Sequence, residues 1–195
     1  CEVFDTTQNI AKSLSKDECH FGYRDSIFKH ELGRYIILSV TLLLSKDRPF
    51  RLTYKPLDEL ILKENLSVKE VRERVIEVRR SKLPEWRINP NCGSFFKNPV
   101  VSKARSEELK AKYLTIPLIE YGDAYKVPAA WLIDHVAEMK GVKVGNLRTW
   151  DKQALVIVND GGATADEVDA FVDHIKEKVC VATGITLEQE VNRIG

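Results

Sequence analysis

The chain has 195 residues, 44% hydrophobic and 30% charged, which is ordinary for a globular protein able to bury a core in one or two domains. Thirty basic against twenty-nine acidic side chains leave a net charge of +1, so no field of one sign favours nucleic acid or an anionic membrane as a partner. The longest apolar stretch, 35–44, is too short to span a bilayer, and nothing at the start has the pattern of a signal peptide.

Four scattered cysteines, Cys1, Cys19, Cys92 and Cys180, form no C-x-x-C pair and have no histidine at ligand spacing. They read as reduced thiols of a cytoplasmic protein with no metal site. The chain begins Cys-Glu-Val and its only methionine is Met139, so it is expected to be a piece of a longer polypeptide.

In chain order, the Ile-, Leu- and Val-rich run 35–44 predicts a buried strand. Ser67 with Glu70 predicts a capping box, and Val68, Val71, Val75 and Val78 the core face of the helix that follows. Arg72, Glu73, Arg74, Arg79 and Arg80 read as its solvated face. Leu83-Pro84 ends this region. Residues 89–94 predict an irregular loop and 102–113 a helix, and Pro128 is placed as the first residue of another helix. Residues 154–158 predict a short strand closed by the turn Asn159-Asp160-Gly161-Gly162. Thr164 and Glu167 repeat the capping box. Val168, Phe171, Val172, Ile175 and Val179 then predict a buried helical stripe stopping before Gly184. The tail, 185–194, is expected to form a final strand, with Glu188 and Glu190 on one side. Strands and helices without regular alternation point to the α+β class.

Four segments carry residue types that local structure does not require. Phe21-Gly22-Tyr23-Arg24-Asp25-Ser26-Ile27-Phe28-Lys29 packs donors, acceptors and an aromatic face together, or is a turn in which Arg24 pairs with Asp25 or a nearby carboxylate. Gly93-Ser94-Phe95-Phe96-Lys97-Asn98-Pro99 holds Ser94 in a shaped loop, where its hydroxyl either donates a proton or caps a backbone amide. No Gly-x-Ser-x-Gly elbow supports a nucleophilic serine. Trp131-Leu132-Ile133-Asp134, followed by Lys140-Gly141, and Leu187-Glu188-Gln189-Glu190-Val191 are the third and fourth.

Together, in this order and with Ser81-Lys82-Leu83-Pro84 and Lys152-Gln153-Ala154-Leu155, these segments resemble the UDP-N-acetylenolpyruvoylglucosamine reductases in their longer variant, over nearly the whole chain. The resemblance implies an oxidoreductase of peptidoglycan synthesis, and so of cell-wall biogenesis, cell shape and division. It implies a flavoprotein in which NADPH is co-substrate, FAD the cofactor and UDP-N-acetylglucosamine enolpyruvate the substrate, reduced to UDP-N-acetylmuramate. It implies that Ser94 donates the proton and that Arg24 and Glu190 stabilise the enolic intermediate. Tyr23 would lie beside flavin and substrate, while Tyr54, Lys82, Asn98, Lys140 and Gln153 would line the UDP-sugar site. Where the family has a further tyrosine this chain has Leu118 and Ile119, with Tyr121 close by.

The family's glycine-rich flavin segments have no match here. The implied organisation is the C-terminal half of a flavin-binding domain over 1–83, a substrate-binding domain over 84–184, and a tail over 185–195 carrying Glu190. Such a chain is expected to retain no FAD and to be inactive without the N-terminal FAD-binding region. The alternative is a stand-alone nucleotide-sugar binding module without redox activity, for which Ser94, Arg24 and Glu190 would be superfluous.

Overall fold

The structure, a computed structural model, describes residues 1–194 of this α+β chain. It divides into two compact units, Cys1–Arg51 and Leu52–Gly195. No helix among the described residues is long and apolar enough to cross a membrane.

In the first unit a hairpin of β1 (Glu2–Asp5) and β2 (Ile10–Ser13) is joined on the β1 side by β3 (Tyr35–Ser39), giving an antiparallel sheet of order β2-β1-β3. A four-residue helix, α1 (Ile27–His30), precedes β3. The core is small: Val3, Leu14 and Cys19, with Phe28 set edge-on to Tyr35. The hairpin turn is organised by Asp5, whose carboxylate is fully buried. It accepts from the Thr7 amide at 3.0 Å, the Thr7 hydroxyl at 2.6 Å and the Gln8 amide at 3.2 Å, and pairs with Lys12 at 2.7 Å and Arg34 at 3.3 Å. Lys12, then Thr7, hold this carboxyl far below the usual range against the opposing effect of burial.

The expected buried strand over 35–44 is corrected in length and in burial. Glu2 pairs with Ser39, so the β1 ladder ends there and the chain beyond has no partner strand. Ile36, Ile37 and Leu38 are about half exposed, and Leu42, Leu43 and Leu44 more so. A continuous apolar run signals burial on both faces, but this single-layer sheet has too small a core to cover both.

The second unit starts with a 3-10 helix over Lys55–Leu60 and continues into α2 (Val68–Lys82). The expected capping box is present: Ser67 Oγ accepts from the Glu70 amide at 3.3 Å, and Glu70 accepts from the Ser67 amide at 2.9 Å. Lys63 and then this cap lower the Glu70 carboxyl to about 2. Arg74 pairs with Glu59 of the 3-10 helix and with Glu77, fixing the two helices together. Val78 is buried and Val71 and Val75 half-buried, but Val68, expected on the core face, is the first residue of the helix and is 73% exposed. The helix ends at Leu83, before Pro84, and the Trp150 indole donates to the carbonyl of Lys82.

Two antiparallel sheets follow. One has the order β4 (Asn91–Ser94), β10 (Gln153–Asn159), β9 (Leu147–Trp150), β8 (Lys143–Val144); the other has β5 (Val100–Ser102), β7 (Ala124–Lys126), β6 (Ile119–Tyr121). Ser102 caps α3 (Lys103–Lys112). The helix expected from Pro128 is one turn, α4 (Ala129–Trp131), passing into a π-helical turn over Leu132–Val136. Pro128 is its N-cap rather than its first residue. The Thr164–Glu167 box opens α5 (Ala165–Thr183), which buries Phe171, Val172, Ile175 and Val179, with Val168 half-buried, and closes on Gly184 at φ +67°. These side chains share a core with Phe96, Leu109, Leu132, Ile133 and Leu187. The four cysteines are unbridged.

Replacing Asp5 by Asn should remove a pH dependence from the first unit. A lowered folded-state pKa contributes stability that is present above the unfolded carboxyl pKa of about 3.9 and is lost as pH falls through the folded value. Thermal unfolding followed at the β1 amides should therefore decline more steeply below about pH 4 in the parent than in Asp5→Asn. Parallel declines would remove Asp5 from this role.

Candidate active site

A cleft of about 420 Å³ opens in the second unit. One wall is the last turns of α2, from which Arg79 and Lys82 project one helical turn apart. Tyr54, the N-cap of the 3-10 helix, faces them, its hydroxyl accepting from Lys82 Nζ at 3.2 Å while the ammonium lies 5.2 Å from its ring centroid. Leu57, Val75, Val78 and Leu83 supply the apolar surface. Ser94 from β4 and Gln153 from β10 close the far side. Four of the nine site residues singled out from sequence, Tyr54, Lys82, Ser94 and Gln153, thus line one cavity although a hundred positions separate the first and last.

The segment 89–94, expected to be an irregular loop, is corrected to strand β4 over its last four residues. Its pairing with β10 is non-local, Ser94 opposite Val156 and Asn91 opposite Val158, and leaves no local signal. Gly93 takes φ +77° here. The Ser94 hydroxyl is exposed and makes no hydrogen bond among the described residues, so it caps no backbone amide.

Glu190 reaches the same neighbourhood through its backbone. Its amide donates to the carbonyl of Phe95, next to Ser94, at 2.9 Å, and the Lys97 amide donates to Glu188 at 2.9 Å. These bonds flank a single bridge, Phe96 to Gln189, to which the expected tail strand is reduced. Glu188 is exposed and ion-paired with Lys97. Gly195 lies outside the described residues.

Asn98 and Lys140 are not among the residues lining the cleft. Asn98 Oδ1 accepts from the Ala129 amide at 2.9 Å, capping α4, and Lys140 pairs with Asp134. Tyr121 lies on β6 with Lys126 over its ring. In the first unit, Tyr23 and Arg24 occupy a tight turn closed by the Gly22 amide on Asp25 O at 2.9 Å. Arg24 adopts φ +57°, uncommon for a residue with a side chain, and its guanidinium lies 5.6 Å from the Tyr23 ring centroid. Asp25 meets His30 Nε2 at 2.8 Å and the Ser26 amide at 3.0 Å. Among the described residues no group of three or more His, Cys, Asp or Glu could hold a metal.

The family model described as UDP-N-acetylenolpyruvoylglucosamine reductase, C-terminal domain, matches residues 84–194. The chain belongs to that family. Relatives named UDP-N-acetylenolpyruvoylglucosamine reductase include one from Photobacterium profundum, 41% identical over 100% of this chain and 56% of that protein. Another, from Bdellovibrio bacteriovorus, is 42% identical over 91% of this chain and 53% of that protein. The chain therefore spans about half the length of the reductases it matches. The crystal structure of the Thermus caldophilus reductase shares its fold, with a TM-score of 0.51 over 98% of this chain and 50% of that one, at 23% identity.

In this member of the reductase family, sequence reasoning missed Arg79 as a cleft residue. It was assigned to the solvated face of α2, because the periodicity that identifies a core face does not distinguish solvent from a cleft. Its guanidinium forms no ion pair among the described residues, unlike that of Arg74 on the same helix.

Gly93→Ala should destabilise the second unit by about 1–2 kcal/mol, through the backbone alone, since an added Cβ meets nothing within 4 Å. Ser94→Ala should change stability by less than about 0.5 kcal/mol. Thermal unfolding of both variants checks this; equal losses would mean that the Ser94 hydroxyl has a structural partner.

Proposed function

We propose that this chain is the substrate-handling part of a reductase converting UDP-N-acetylglucosamine enolpyruvate to UDP-N-acetylmuramate with NADPH, in cytoplasmic synthesis of the peptidoglycan precursor. The observation that carries the reading is the convergence of Tyr54, Lys82, Ser94 and Gln153, distant in sequence, on one cleft. Two cations one turn apart on α2 suit the diphosphate of a UDP-sugar: Lys82 as a point charge, Arg79 with a fork that can take two oxygens. Tyr54 offers an aromatic face, and its placement outside the regular helices lets it fold over a ligand.

Reduction of the enolpyruvyl double bond adds a hydride and a proton. Hydride addition at one carbon leaves carbanion or enol character on the carbon beside the carboxylate, which must then be protonated. Ser94, exposed in the cleft with its hydroxyl unengaged, is the proton donor in this reading. A hydroxyl is a weak acid in water and acts here because the acceptor is as basic as the carbanion. Positioned general acids contribute about 10²–10⁴-fold. Arg24, in this reading, balances the substrate carboxylate, and Glu190 assists the enolic intermediate. On this reading Tyr23 serves flavin and substrate, and Asn98 and Lys140 bind the UDP-sugar.

The N-termini of the long helices offer no free site for the diphosphate of a flavin. Such a group is commonly held by free helix N-terminal amides or a glycine-rich nest. The three helices of ten or more residues, α2, α3 and α5, have N-termini occupied by their own caps: Ser67 with Glu70, Ser102, and Thr164 with Glu167. On this reading FAD is held by polypeptide beyond these residues, and activity requires that region.

In the complete enzyme, Ser94→Ala should slow substrate-dependent NADPH oxidation by at least about 10²-fold. NADPH oxidation with an artificial electron acceptor, which needs no proton at the substrate carbon, should be nearly unchanged. Equal slowing of both would point to a damaged site, and no slowing of the first would remove Ser94 from its role.

A further inference from the structure

We propose that Asn91 is a positioning residue for Ser94, acting through a β-bulge at Gly93; this rests on the reading of Ser94 as proton donor. Between the pairs Asn91 with Val158 and Ser94 with Val156, β4 advances three residues while β10 advances two. One extra residue is therefore inserted in β4, and Gly93, at φ +77°, stands inside the insertion. Glycine at positive φ is the usual solution for such a bulge. Regular pairing continued from Asn91 would put Gly93 opposite Val156 and turn Ser94 to the other face, because side chains alternate with period two. The bulge thus decides the face on which the Ser94 hydroxyl stands.

A bulge breaks the ladder and leaves a backbone amide without its strand partner. Here the Asn91 carboxamide supplies the partner. Its Oδ1 accepts from the Gly93 amide at 2.9 Å, and its Nδ2 donates to the carbonyl of Asn89 at 2.7 Å. The carboxamide therefore spans the residues before and after it and fixes the local chain path. Asn89 is itself anchored, its Oδ1 accepting from Arg148 Nη2 at 2.9 Å, and Arg148 Nε is held by Asp160 at 2.9 Å. Pro90 O accepts from the Asn159 amide at 2.9 Å, securing the same segment to the end of β10. On the far side of Ser94, the Phe95 amide donates to Leu155 O at 2.8 Å. Among the described residues, Ser94 is held by its backbone on both sides while its hydroxyl stays unengaged, and Asn91 is the only side chain bonded to the bulge amide itself.

Asn91 touches neither substrate nor reacting atom in this account, so its effect must pass through Ser94. In the complete enzyme, Asn91→Ala should lower kcat for the enolpyruvyl substrate by about 10-fold or more, since small misplacements of a reacting group cost on the order of 10²-fold. KM should stay within about twofold, because the loss falls on the transition state. Asn91→Asp keeps an acceptor for the Gly93 amide but loses the donor to Asn89 O, and should recover part of the rate. In a Ser94→Ala background, Asn91→Ala should have little further effect. An unchanged kcat in Asn91→Ala, an Asp variant as slow as the Ala variant, or undiminished slowing in the Ser94→Ala background would each overturn the proposal. If Ser94→Ala itself left the rate intact, the proton-donor reading would fail separately. Hydrogen exchange of the Gly93 amide in this chain would then decide on Asn91: faster in Asn91→Ala but not in Asn91→Asp upholds the bulge contact, and no change overturns it.

Discussion

The candidate site depends on one non-local pairing, that of β4 with β10. Strand β10 is the most buried strand of the second unit, with Ala154, Val156 and Val158 almost wholly enclosed. It takes β4 on one side and β9 on the other, and α5 packs its apolar stripe into the same core. Beyond α2 and the 3-10 helix that carries Tyr54 and Leu57, this arrangement delivers the rest of the cleft: Gln153 from the start of β10 and Ser94 from the end of β4, with the backbone of Glu190 brought close by a tail bonded to Phe95 and Lys97. Phe95 and Phe96, 7% and 2% exposed, are the apolar pins between the exposed Ser94 and the paired Lys97. A serine loop anchored in the core by two consecutive phenylalanines has little room to shift.

Charge in the second unit is divided between structure and cleft. Arg74, Lys63, Lys143 and Arg148 are engaged with carboxylates, and Lys143 and then Arg148 lower the Asp160 carboxyl. Arg79 and Lys82 meet no carboxylate among the described residues; Lys82 instead meets the ring and hydroxyl of Tyr54. Two cations without anions, held against an apolar floor of Leu57, Val75 and Leu83, form a local attraction for an anionic ligand in a chain whose net charge is only +1.

What could be read from sequence was local. Both capping boxes and the glycine stop at Gly184 rest on contacts within four residues, the α5 stripe on a spacing of three and four, and each formed where its signature stood. Features that depend on distant partners were not legible. The run from Tyr35 reads as doubly buried, yet β1 offers it one partner that ends at Glu2. Residues 89–94 have loop composition, and only β10, sixty positions later, makes a strand of them. Arg79 has the same helical phase as a solvated residue until Tyr54 and Ser94 are brought opposite it. Of the residues lining the cleft, Ser94 lies in one of the four short motifs and Lys82 and Gln153 in the two accompanying segments, while the bulge before Ser94 has no signature of its own.

The central claim, that the cleft of Tyr54, Lys82, Ser94 and Gln153 receives the nucleotide-sugar, is tested most directly by titrating this chain with UDP while recording amide shifts. The account predicts saturable shifts concentrated at Tyr54, Arg79, Lys82, Ser94 and Gln153, weakened in Lys82→Ala. Saturable shifts concentrated instead in the separate cavity lined by Asn146, Leu147, Glu167 and His174, or none at all, would contradict it.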